Sequence, residues 1–185
     1  MSYVVAQDPS RARVLTTSAL FAALLAVSAV LAIPIGVVPI TLQTAVLVLV
    51  ALVQRPTHAA LTVGTYLALG LVGLPVFSGM RGGFGVLVGP TGGYLIGFLV
   101  GAVAASWVRE TLVRYNSRLI ADISGAVVLI AVVYAIGWLQ LALVTSMGFV
   151  PALVAGVVPF LLPDALKAAV AIAIAPIVRR AAGEF

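Results

Sequence analysis

Long apolar runs, each close to the length of a bilayer crossing, alternate along this chain with short stretches rich in proline, glycine and arginine. The runs are unbroken instead of alternating residue by residue, so the pattern predicts transmembrane helices and not a membrane barrel. The first covers residues 14–33, about the twenty needed to cross a bilayer, between Arg11 and Arg13 on one side and Pro34 on the other. Further helices are predicted over 40–53, 59–74, 92–108 and 123–144. The last apolar stretch, 152–178, is interrupted by Pro159 and Pro163. It reads as a loop or half-helix to about residue 162, then a helix over 163–178 with Pro163 in its first turn, where a missing N–H costs least.

The segments between these runs carry their own signals. IPIGVVP (33–39) is a proline-bounded loop, and Thr41, Gln43 and Thr44 at the start of the second helix must face the bundle or a cavity. LPVFSGMRGGFGVLVGPTGGY (74–94) is the least helix-like stretch, a glycine-rich outer loop between helices 3 and 4 in which backbone can approach a neighbour or a ligand closely. Gly85, Gly89, Gly93, Gly97 and Gly101 recur at every fourth position, a small-residue ridge whose default meaning is close helix packing. Ser18, Ala22 and Ala26, with Ala19 and Ala23 beside them, make a smooth face on the first helix, for packing within the chain or against a partner.

Composition settles the class. Hydrophobic residues make up 63% of the chain, charged residues 8%, and the mean hydropathy is +1.27. A soluble domain has about half apolar and a quarter charged residues, so this is an all-α integral membrane protein, a single domain of six transmembrane helices. The net charge of +5 is spread over short inter-helix segments without a basic stripe, which excludes nucleic acid as a partner. Six spans place both termini on one side. With that side cytoplasmic, residues 1–13 form a retained cytoplasmic segment, and the inner loops hold all ten Lys and Arg residues except Arg81 and Lys167. The charge rule thus isolates two cations that topology does not explain.

Lys167, the only lysine, follows Asp164 by three residues on one helical face of PDALK. An ionisable group in an apolar span costs about 2.5 to 3.5 kcal/mol and marks a functional site unless the pair merely neutralises itself. Side by side they offer an acceptor and a strong donor. Arg81 reads equally as a solvated loop arginine or an anion contact, and Tyr94 and Trp138 as core, interfacial anchors or walls. His58, alone in a polar turn, carries no metal or catalytic role. There is no cysteine, no HExxH, no cluster of metal ligands and no GxxxxGK[ST] phosphate loop, so no catalytic residue, metal site or cofactor is expected and the chain is not an enzyme. Any energy coupling must come from a partner or an ion gradient.

The ordered set IPIGVVPITLQT (33–44), GLVGLPVFSG (70–79), GPTGGYLIGF (89–98) and PDALK (163–167) resembles BioY, the biotin-specific substrate-binding S component of energy-coupling factor vitamin transporters. The resemblance runs over nearly the whole chain, and GPTGGY is its strongest piece. It implies a prokaryotic cell (inner) membrane protein with both termini cytoplasmic, which captures biotin from the outer side. It also implies two kinds of partner in the lipid bilayer and beneath it, a transmembrane T component and cytoplasmic ATP-binding subunits. Small residues of the first helix form the sliding face for the T component in this family, which here implies Ser18, Ala19, Ala22, Ala23 and Ala26. Biotin is implied to lie near Asp164 and Lys167, against Phe84 and Tyr94, with Gly92 and Gly93 allowing close approach. Arg81, Thr91 and Gln43 stand as alternatives for its carboxylate. Two other classes remain: a stand-alone secondary transporter of a small carboxylate or vitamin, against which a single acid–base pair argues, and a structural membrane protein, which leaves Asp164 and Lys167 without a purpose.

Overall fold

Residues 43–53 have no polar stripe, and the structure buries this segment on nearly every side. The computed structural model describes residues 11–182, so the expected cytoplasmic segment 1–13 lies outside the described residues except for its last three, which already belong to the first helix. In chain order the elements are α1 (Arg11–Val30), the strands β1 (Ala32–Ile33) and β2 (Ile40–Thr41), α2 (Gln43–Val53), α3 (Pro56–Leu71), α4 (Phe84–Val88), α5 (Gly92–Leu112), α6 (Arg118–Thr145), α7 (Phe149–Gly156), a 3₁₀ turn (Val158–Phe160) and α8 (Leu161–Ala182). A helix hydrophobic all round belongs at the centre of a bundle. Helix α2 fills that place: Leu47, Val48, Val50, Ala51 and Leu52 are fully buried, with α1, α5, α6 and α8 packed around them.

Four elements are long and apolar enough to cross a bilayer: α1, α5, α6 and the bent unit Phe149–Ala182. The chain is therefore a multi-pass helical membrane protein. Helices α2 and α3, with 11 and 16 residues, rise only about 17 and 24 Å against a hydrocarbon core of about 30 Å. The short α2 leaves space beyond its N-terminus, and the candidate site occupies that space. As the sequence predicts, Pro163 lies in the first turn of α8, while α8 itself extends past the predicted end at 178 to Ala182.

Three expectations need correction. The expected loop is the tip of a two-stranded antiparallel hairpin, Ala32 opposite Thr41 and Ile33 opposite Ile40, so α1 ends at Val30 and not at 33, and α2 begins at Gln43 and not at 40. The glycine-rich stretch is not one loop: Phe77 and Arg81 bridge to each other, the amide of Gly83 bonds the Gly70 carbonyl at 2.7 Å, and α4 follows. Its glycine ridge is also divided. Gly93, Gly97 and Gly101 lie against α6, where an added Cβ at Gly97 would stand 2.9 Å from the Val133 Cα, but Gly85 meets nothing and Gly89 caps α4.

The third correction is at the far end of the bundle, where the charge rule reads Arg109 and Arg179 only as topology signals of the inner loops. Asp122 is buried and accepts from Arg109 Nε at 2.8 Å and from Arg179 Nη1 and Nη2, both at 2.9 Å. Arg179 Nη1 also donates to the Leu52 carbonyl at 3.2 Å. This network ties the ends of α2, α5, α6 and α8 together.

Candidate functional site

The space beyond the N-terminus of α2 is a cavity lined from the hairpin, the glycine-rich segment, α2, α4, α5, α6, the 3₁₀ turn and α8. The hairpin supplies Val38, Pro39 and Thr41; the folded glycine-rich segment supplies Phe77, Ser78 and Arg81. Helix α5 adds Tyr94 and Phe98 and its N-cap Thr91, α6 adds Val133 and Tyr134, and the turn before α8 adds Phe160. Asp164 and Lys167 complete it from the first turns of α8. Mostly aliphatic and aromatic walls with a few convergent polar groups are the ordinary make-up of a small-molecule site.

Asp164 is 4% exposed and is held from two sides. Lys167 Nζ donates to its Oδ1 at 2.8 Å, and the hydroxyl of Tyr134 donates to its Oδ2 at 2.8 Å. The acid sits in the first turn of α8, where the helix dipole favours a negative charge. Together the pair is neutral, which a buried ionic site requires, yet a carboxylate and an ammonium each keep bonding capacity beyond these contacts. The arrangement can therefore present an acceptor and a donor side by side to one edge of a ligand.

A second polar group of the lining is Arg81, exposed at the cavity's margin. Its Nε donates to the Ser78 carbonyl at 3.1 Å, which fixes the base of the guanidinium and leaves its terminal N–H groups for an anion. Gln43 behaves differently. Its Oε1 accepts from Thr41 at 3.2 Å, and its Nε2 donates at 2.7 Å to the hydroxyl of Tyr66, which in turn donates to the Val76 carbonyl at 3.2 Å. This relay joins the hairpin, α2, α3 and the glycine-rich segment, so Gln43 holds the wall together.

Of the residues expected at the site, Asp164, Lys167, Tyr94, Thr91, Gln43 and Arg81 line this cavity. Three do not. Phe84 opens α4 and is 65% exposed, outside the cavity lining. Gly92 and Gly93 are buried in packing: an added Cβ on Gly92 would collide with the Leu87 carbonyl, and one on Gly93 would stand 2.6 Å from the Ile136 carbonyl. Both glycines serve the seating of α5, and Gln140 Nε2 reinforces it with 2.8 Å bonds to the carbonyls of Leu87 and Gly89. Tyr134 is the main residue that the reading of the sequence missed. A phenol in an apolar span was its one signal, and nothing local linked it to Asp164, thirty residues away.

The face expected on α1 is also split. Ser18 and Ala22 are buried against the chain's own helices, while Ala19 and Ala23 are exposed and Ala26 is half-buried. No group of His, Asp and Glu residues able to hold a metal occurs among the described residues.

Comparison with known proteins gives a consistent result. Residues 4–184 match the model of the BioY family. The chain is 40% identical over 165 residues to the "Probable biotin transporter BioY" of Pyrococcus horikoshii, covering 89% of this chain and 95% of that protein. It is 39% identical over 163 residues to the "Biotin transporter BioY" of Thermotoga maritima, covering 88% and 94%. Among solved structures it resembles the crystal structure of the S-component for biotin from an ECF-type ABC transporter, with a TM-score of 0.84, 27% identity, and coverage of 91% of this chain and 92% of that one.

Proposed function

The chain belongs to the BioY family, and from that premise we propose that it is the biotin-binding S component of an energy-coupling factor uptake transporter. Its relatives are transporters, and the chain is not an enzyme. In this reading α2 and α3 complete a six-span bundle with both termini cytoplasmic. Biotin enters from the outer side, and a transmembrane T component with paired ATPases drives its delivery to the cytoplasm.

The observation that carries the proposal is the juxtaposition of Asp164 and Lys167 in a largely apolar cavity. Each edge of a cyclic urea presents an N–H beside its carbonyl. Asp164 accepts from that N–H, and Lys167 donates to the carbonyl. The apolar bicycle lies against Tyr94 and the neighbouring aromatic walls. For the valerate carboxylate, Arg81 is favoured because its terminal N–H groups remain available, with Thr91 beside it in the lining. Gln43, its side-chain oxygen and nitrogen both engaged within the protein, supports the wall instead.

The T component is proposed to slide on the strip of α1 made by the exposed Ala19 and Ala23 with the half-buried Ala26, which leaves Ser18 and Ala22 to internal packing. Calorimetric titration of the purified chain, stripped of co-purified vitamin, tests the substrate. One-to-one binding of biotin but not of thiamine or riboflavin is expected; a folded sample that ignores biotin sinks the proposal.

A further inference from the structure

Asp164 is the acceptor in the proposed site, yet an aspartate carboxylate turns easily about its last torsion. Lys167, on the same helix, restrains only Oδ1. The other oxygen is held from a different helix, by the hydroxyl of Tyr134 at 2.8 Å. We propose that Tyr134 is a positioning residue for ligand recognition: it fixes the plane of the Asp164 carboxylate so that an unused lone pair faces the cavity before any ligand arrives. The inference rests on the biotin reading, since biotin is the probe.

The scaffold explains how a tyrosine can aim so closely. Val133, the residue before it, is pressed against α5 where Gly97 and Gly101 leave no side chain between the helices. An added Cβ at Gly101 would stand 3.3 Å from Val133 Cγ2, so α6 has little freedom to rotate or slide there. Farther along, Gln140 bonds the carbonyls of Leu87 and Gly89, pinning the same helix a second time. The glycine ridge thereby places the Tyr134 hydroxyl, and the hydroxyl places the carboxylate.

Tyr134 supplies direction where Lys167 supplies charge. Neutralisation of Asp164 is already achieved by the lysine, and an un-ionised phenol adds none. What it adds is a bond to a charged acceptor, which ranks among the stronger hydrogen bonds in proteins. Ordering the carboxylate in advance removes a cost that the ligand would otherwise bear on binding.

Affinity for biotin measured on wild type, Tyr134→Phe, Asp164→Asn and the double variant tests the assignment. Phenylalanine keeps the ring and the wall, so a shape contribution survives and only the hydroxyl is lost. Tyr134→Phe should weaken biotin about tenfold or more. The factor should be the same for biotin methyl ester, whose change is at the other end of the ligand. In the Asp164→Asn background the same substitution should change affinity by less than about twofold, because the carboxylate it positions is gone. A Tyr134→Phe protein within about twofold of wild type, or an equal loss in both backgrounds, overturns the inference while leaving the biotin reading intact. Failure of folded wild type to bind biotin removes both.

Discussion

The ring of Tyr94 lies directly over Gly137, and its hydroxyl donates to the carbonyl of Gly156 at 2.8 Å. A Cβ on either glycine would overlap the tyrosine, so this one side chain bolts α5 to α6 and to the end of α7 while also lining the cavity. Gly137→Ala and Gly156→Ala are therefore expected to destabilise the protein by about 1 to 3 kcal/mol each and to weaken ligand binding. Gly85→Ala, where an added Cβ meets nothing, should melt with wild type. Thermal unfolding in detergent, with and without biotin, measures all three.

Asp164→Ala and Lys167→Ala should each lower biotin affinity about a hundredfold or more, because each removes a ligand contact and leaves the other charge without its counter-ion, Asp164 keeping only its bond from Tyr134. Titration of both variants checks this, and unchanged affinity in either one takes that residue out of the site.

Arg81 and Gln43 are expected to fail in different ways. Arg81→Ala should weaken biotin but leave its methyl ester nearly unaffected, since the ester has no charge for a guanidinium to meet. Gln43→Ala removes the side-chain bonds that link Thr41 to Tyr66 across the wall, so it should lower the melting temperature and weaken acid and ester by the same factor. Equal loss of acid and ester in Arg81→Ala would place the carboxylate elsewhere.

At the opposite end, Asp122→Asn leaves two arginines facing each other without the anion that joins them. Breaking a buried ion pair this way typically costs about 3 to 5 kcal/mol, so a marked fall in thermal stability is expected. Arg114, 68% exposed and 3.7 Å from Glu110, provides the control: Arg114→Ala should change stability by less than about 1 kcal/mol. A melting curve of Asp122→Asn that overlays wild type would show that the network contributes nothing net.

Biotin uptake should be weak in cells expressing this chain alone and strong when a T component and ATPases are present. Ala19→Leu and Ala23→Leu should then reduce uptake without altering biotin affinity, since both positions face outward. Ala22→Leu, which has no room, should instead damage folding. Proton-driven uptake at full rate by the purified chain in liposomes would overturn the need for partners.

The membrane class, the end of the first helix ahead of Pro34, the place of Pro163 in the first turn of α8, and the singling out of Asp164, Lys167 and Arg81 were all legible in one dimension. Each rests on a local signal: hydropathy over a bilayer's length, a residue that cannot continue a helix, or a charge that its surroundings do not explain. Which way a side chain points is another matter. It depends on how each helix is rotated against its neighbours, and that rotation is set by packing among all of them at once. Tertiary structure alone turned Phe84 outward, seated Gly92 and Gly93 in helix packing and divided the small face of α1 between Ser18 and Ala22 inside and Ala19 and Ala23 outside. It also brought Tyr134 to Asp164 across thirty residues and Arg179 to Asp122 across 57, partnerships that leave no periodic trace in the chain because their specificity lies in distance through space.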